Sequence, residues 1–175
     1  MEGFTEYMSK LTAYRTGFIT EAEFLQQLAF CRSDYLHRAG KISLVDAGVE
    51  KGVNYGLIYN GGMAAAFALD VEVRTKTNNK KGLIDVMRMM YSKFGKTNIA
   101  YKYDDIIAVS SETAGTGLSG FFSSYVSGLK VIPLDKYLAD AGLEAVVLNG
   151  ETVIQPKINA AAGAKELLKS VLGDE

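Results

Sequence analysis

Few side chains in this chain can do chemistry, and their scarcity is informative. The only cysteine is Cys31 and the only histidine is His37. A single thiol excludes an intramolecular disulfide. A single imidazole cannot supply the two-histidine site of a zinc protease, nor a Cys2His2 site. Cys31 follows Phe30 in a helical pattern, the usual setting of a buried structural thiol. His37 precedes Arg38 near a predicted helix C-terminus. Cations there complement the helix dipole, so His37 reads as a surface residue.

Two other positions could take part in a reaction. Glu2 opens the stretch Glu2-Gly3-Phe4-Thr5-Glu6-Tyr7. A glutamate in a first helical turn also favours any helix through its dipole, so a solvated capping role is the simpler reading of Glu2 alone. Tyr59 heads Tyr59-Asn60-Gly61-Gly62 before an apolar run. A tyrosine at a loop–helix junction can project its phenol into a cleft and donate to a developing oxyanion. It can equally pack its ring into a core.

The elements that must position these residues are mostly helices. Only two prolines occur, which permits long ones. Phe4, Tyr7, Met8 and Leu11 share a face of a helix expected over Gly3 to Arg15. Thr20-Glu21-Ala22-Glu23 has the form of a capping box that starts a second helix running to about Arg38, with Gly40 as its stop. A short helical turn is expected after Ser43. Five glycines at 48, 52, 56, 61 and 62 make that stretch a loop. It leads into a helix from about Tyr59 to Lys76. Further helices are expected over Gly82 to Phe94, Asp104 to Thr113 and Leu118 to Val126, with a short one from Pro133 to Ala141. Then the period changes. Ala145 to Leu148, Asn149-Gly150 and Glu151 to Ile154 form a hairpin signal with a type I′ turn. A last helix is expected over Ala160 to Leu172.

The expected fold is therefore mainly α, an irregular helical bundle with a small C-terminal β-hairpin. Its segments are 1–143, a helical domain, and 144–175, the hairpin plus a helix. At 175 residues and 48% hydrophobic, the chain is long and apolar enough to bury a real core. A formal net charge of −1 offers nucleic acid no basic field. No apolar run approaches the roughly 18 residues that would span a bilayer. Met1-Glu2-Gly3-Phe4-Thr5-Glu6 lacks the basic-then-apolar order of a signal peptide.

The ordered set of short motifs resembles one enzyme family. Glu2-Gly3-Phe4-Thr5-x-Tyr7 resembles the E-G-F-T segment of glycyl aminopeptidases, a branch of the gluzincin metallopeptidases. Tyr59-x-x-Gly62 resembles the family's Y-x-K-G, with Gly61 in place of the lysine. Leu69-Asp70-x-x-Val73-Arg74, Leu83-x-Asp85-Val86-Met87-Arg88 and Phe121-Phe122-x-x-Tyr125-Val126-x-Gly128 continue the series. Pro133-Leu134-Asp135-Lys136-Tyr137-Leu138 follows, so the likeness spans residues 2 to 143 in the family's order.

The resemblance implies the C-terminal half of a thermolysin-like catalytic unit, a hydrolase that cleaves peptides at the N-terminus with zinc-activated water. Glu2 would be the third zinc ligand and Tyr59 the oxyanion stabiliser, acting on a peptide substrate. The family's H-E-x-x-H, which carries the other ligands and the general base, is absent from this chain. The 33 residues from Leu143 to Glu175 are too few for the PDZ-like module that commonly follows in the family. The expectation is a truncated or remnant peptidase unit that is inactive and binds no zinc alone. The alternative is a non-catalytic helical binding or scaffold module derived from such an enzyme. The missing half would leave Phe4 and Met63 to Ala66 uncovered, which favours a homo-oligomer.

Overall fold

The computed structural model describes residues 2–173. Met1, Asp174 and Glu175, at the ends of the two expected segments, lie outside the described residues. The chain is mainly helical, with one small antiparallel hairpin near its C-terminal end, as the sequence pattern implies. The helices are α1 (Glu2–Arg15), α2 (Glu21–Arg38), α3 (Leu44–Ala47), α4 (Gly62–Thr77), α5 (Leu83–Phe94) and α6 (Tyr103–Ala114). The shorter α7 (Ser119–Tyr125) and α8 (Leu134–Asp140) precede β1 (Leu143–Leu148), β2 (Glu151–Pro156) and α9 (Ala162–Leu172). No helix among the described residues is long and apolar enough to cross a membrane.

The local signals act as their chemistry requires. The Thr20 hydroxyl accepts from the Glu23 amide at 3.2 Å, and the Glu23 carboxylate accepts from the Thr20 amide at 2.7 Å. The Ser43 hydroxyl accepts from the Asp46 amide at 3.0 Å and starts α3. Asn149 and Gly150 both take positive φ, 53° and 85°, as a type I′ turn demands. That turn sets a register in which Leu148 faces Glu151 and Leu143 faces Pro156.

Helix α4 is the axis of the fold. It touches α1, α2, α5, α6, α8 and α9. Every residue from Met63 to Val71 is buried, which is the behaviour of a helix that is apolar all round. This corrects the expectation that Met63 to Ala66 would be uncovered. Their small side chains let neighbouring helices close over them, and Ala64 and Ala66 are fully buried within this single chain. Phe4 is only half-buried. The hairpin and α9 share the same core, through Leu143, Ile154, Leu167 and Val171.

Within that apolar axis sits one polar hub. Asp70, 1% exposed, accepts from the Tyr7 hydroxyl of α1 at 2.7 Å and from Arg74 Nε at 2.9 Å. It also accepts from the Leu83 amide, at the start of α5, at 2.7 Å. Arg74, 5% exposed, donates onward to the Ser170 hydroxyl of α9 at 2.5 Å. Gly82 makes room for this cluster, since a Cβ there would lie 2.6 Å from Asp70 Oδ1. Burial, and then the Asp70 charge, push the Tyr7 phenol well above its ordinary pKa, so it stays a donor.

Breaking a buried pair leaves a charge without compensation. We therefore expect Asp70→Ala to cost about 3–5 kcal/mol of stability and Tyr7→Phe about 1–2 kcal/mol. Urea unfolding checks both; losses under about 0.5 kcal/mol, typical of surface changes, would show that the hub does not hold the fold.

Candidate functional site

The residues singled out by the sequence meet where α1 lies across the start of α4. Helix α1 approaches α4 so closely that backbone touches backbone. A Cβ on Gly3 would sit 2.2 Å from Gly62 Cα, and one on Gly62 would sit 2.7 Å from Gly3 Cα. Only a glycine pair permits this seat. It places Glu2, one residue before Gly3, at the end of α1 that lies over the turn carrying Tyr59.

That turn is not the simple helix start expected from the sequence. Helical backbone begins at Tyr55, and Leu57–Gly61 widens into a π-helix before α4 continues. Tyr59 thus lies inside a π-turn, one turn into the helical run. Such turns leave main-chain groups without their usual partners and recur at functional sites. Here α2 supplies replacements. The Cys31 thiol donates to the Asn60 main-chain carbonyl at 2.9 Å, and the Asn60 side chain is held as well, its Nδ2 donating to Asp34 at 2.8 Å. Arg38 donates in turn to both Asp34 oxygens at 2.9 Å. Hydrogen bonding from Arg38 holds the Asp34 carboxyl below the usual carboxylate range. A Cβ on Gly56 would lie 2.7 Å from Arg38 Nε, so this glycine admits the guanidinium.

The Tyr59 ring is half-buried and stacks on Tyr55, with centroids 4.3 Å apart. Glu2 takes the ammonium of Lys51, from the glycine-rich segment 48–56, in an ion pair. The Lys51 hydrogen bond is the main cause that lowers Glu2 from 4.5 to about 2. Reciprocally, the bond to Glu2 raises Lys51, and nearby Tyr59 adds to the shift. Glu2, Lys51 and Tyr59 thus form one electrostatic neighbourhood. Beside it, Glu2 and Phe4 reach the rim of an apolar cavity of about 230 Å³, walled by Ile58, Leu69, Ile106 and Phe121.

Sequence reasoning missed Lys51, which belongs to no motif. It also missed the α2 clamp on the π-turn. The signal for the clamp was present in Cys31, Asp34 and Arg38, spaced to share one face of α2.

The zinc implied by the family resemblance does not fit the residues present. Among the described residues no group of three His, Cys, Asp or Glu converges to hold a metal. The Glu2 carboxylate is engaged by an ammonium. His37 is exposed in the last turn of α2. Cys31 is 1% exposed, and burial pushes its thiol up to about 12, far from the thiolate a metal needs.

Two outcomes test this geometry. Gly3→Ala should cost about 1–3 kcal/mol, because the new methyl meets backbone that cannot rotate away. Gly120→Ala, where a Cβ meets nothing within 4 Å, is the control and should be neutral or better. Equal stability of the two variants would rule out the tight seat. Glu2 has a lowered folded pKa, so its contribution is present above pH 4.5 and disappears as pH falls towards about 2. Solvent screening of this partly exposed pair keeps the amplitude under about 1 kcal/mol. Carboxyl NMR titration should place Glu2 at about 2 in the parent and return it towards 4.5 in Lys51→Met. An unchanged midpoint in the variant would refute the pairing.

Comparison with models of known families and with curated proteins finds no match to this chain.

Proposed function

We propose that this chain is the helix-rich, C-terminal part of a glycyl-aminopeptidase-type catalytic unit and does not hydrolyse peptides by itself. The observation that supports this reading is the convergence of its two most chemical motifs. Glu2-Gly3 and Tyr59-x-x-Gly62 are distant in sequence, yet Gly3 is seated on Gly62 and Lys51 joins the Glu2 and Tyr59 environments.

In this reading the chain contributes two parts. Glu2 is a carboxylate in the first turn of α1, able to bind a cation. Tyr59 is a phenol held on a clamped π-turn and able to donate a hydrogen bond to a developing oxyanion. The remaining parts, two histidine ligands and a general base, require residues this chain does not have. One carboxylate holds zinc weakly, and the base of H-E-x-x-H has no counterpart here.

One observation favours a second reading, a non-catalytic binding module derived from such an enzyme. Lys51 neutralises Glu2 beside an apolar cavity, an arrangement suited to binding without hydrolysis. The coding sequence upstream of Met1 separates the two: an in-frame or adjacent H-E-x-x-H supports the catalytic unit, and its absence supports the module.

The isolated chain provides the biochemical test. Equilibrium dialysis with zinc and hydrolysis of glycyl and alanyl arylamides should show neither tight one-to-one binding nor metal-dependent turnover. Sub-micromolar stoichiometric zinc, or turnover abolished by a chelator, would overturn the proposal.

A further inference from the structure

One edge of the hairpin carries no partner strand. Next to a two-residue turn, the flanking pair exchanges both main-chain hydrogen bonds, and bonded pairs then alternate along the ladder. Here the bonded pairs are Leu148 with Glu151, Val146 with Val153 and Glu144 with Gln155. The Lys157 amide, donating to the Gly142 carbonyl at 2.8 Å, continues the same even-numbered series on β1. Leu143, Ala145 and Val147 therefore turn their N–H and C=O groups away from β2. None of these three has a main-chain hydrogen bond to another element among the described residues. Val147 is 70% exposed and Leu148 52% exposed, so the outer half of this edge is open.

Proteins that must stay single blunt such an edge with lysine, proline or a bulge. The run Ala145-Val146-Val147-Leu148 has no lysine or proline, and its register is unbroken. The opposite strand differs: β2 packs along α2 and ends at Pro156.

We propose that the outer edge of β1 pairs antiparallel with β1 of a second copy, about a two-fold axis at Val146. Ala145 then exchanges both main-chain bonds with Val147 of the other copy, and the two hairpins become one four-stranded sheet. The charge pattern selects this arrangement. Glu144 is the single charged residue of β1. Antiparallel pairing about Val146 sets each Glu144 across from Leu148. It holds the two carboxylates about 13 Å apart, at about 3.3 Å per residue, beyond the screening length of about 10 Å. In-register parallel pairing would bring them to about 4.8 Å. A two-fold contact is also self-completing, so it closes at a dimer and exposes no new edge of the same kind. On the face away from the core, Val146 and Val153 of the two copies then line up in one apolar row.

The test uses the full chain. Sedimentation velocity and light scattering over a concentration series should show a reversible species of twice the 19.0 kDa chain mass. Val147→Pro removes the outward amide and Val147→Lys installs an edge charge; each should give a monomer with an unchanged helical circular dichroism spectrum. If the proline variant does not fold, the lysine variant and hydrogen exchange decide the matter. In the parent chain the Ala145 and Val147 amides should gain protection as concentration rises. A parent that stays monomeric at its highest soluble concentration would overturn the proposal, even if the edge then captured an extended peptide from another protein. So would a dimer that persists in folded Val147→Lys, or edge amides whose exchange ignores concentration.

Discussion

The Asp70 carboxylate gathers donors from three directions: the Tyr7 hydroxyl on α1, the Arg74 guanidinium on its own helix and the Leu83 amide at the start of α5. Arg74 extends the cluster to Ser170 on α9. An isolated charge in this position would be prohibitively costly. With its oxygens satisfied it instead becomes a directional constraint in a core otherwise held by contacts with no direction. Apolar packing alone would let α1 slide along α4. Tyr7 fixes its register at one point and the Gly3–Gly62 seat fixes it at another, one turn away. The position of Glu2 follows from those two contacts rather than from anything Glu2 does itself.

The helices were legible because their periodicity and caps agree. Thr20 with Glu23, Ser43 with Asp46 and Asn149-Gly150 are each short-range signals, and each forms the predicted local structure. The π-turn was not legible, because one extra residue in a single turn leaves no mark on a pattern already interrupted by Gly56, Gly61 and Gly62. Its stability comes from Cys31 and Asp34, residues on another helix. Lys51 was equally hidden: a lone lysine in a glycine-rich segment has no periodicity, and its pairing with Glu2 exists only through the fold. The expected exposure of Met63 to Ala66 is overturned for a different reason. A missing half is not needed to cover them: the small Ala64 to Ala66 let α1 and its neighbours close over them, and Met63 is buried with them. Asp70 and Arg74 could have been read more fully. Two opposite charges at i and i+4 just after the apolar run from Met63 to Leu69 can pair and be buried together, whereas neither can be buried alone.

The site and the scaffold therefore differ in how they are secured. The scaffold has redundancy: α4 is packed on every side, and the hub spans four helices. The site depends on a few close approaches, with Gly3 against Gly62, Gly56 under Arg38 and Cys31 on the Asn60 carbonyl. Each would be disturbed by a single methyl or by loss of a single donor. These contacts gather around Tyr59, the residue the proposed function uses as an oxyanion donor.

The most direct measurement is the titration of Glu2 in a variant that disturbs only the seat of α1. Gly62→Val places a branched side chain where Gly3 backbone now lies. If the close approach of α1 to α4 sets the Glu2 environment, the Glu2 carboxyl should rise from about 2 towards 4.5 in a variant that keeps its helical content. A Glu2 carboxyl that still titrates at about 2 in folded Gly62→Val would contradict the account.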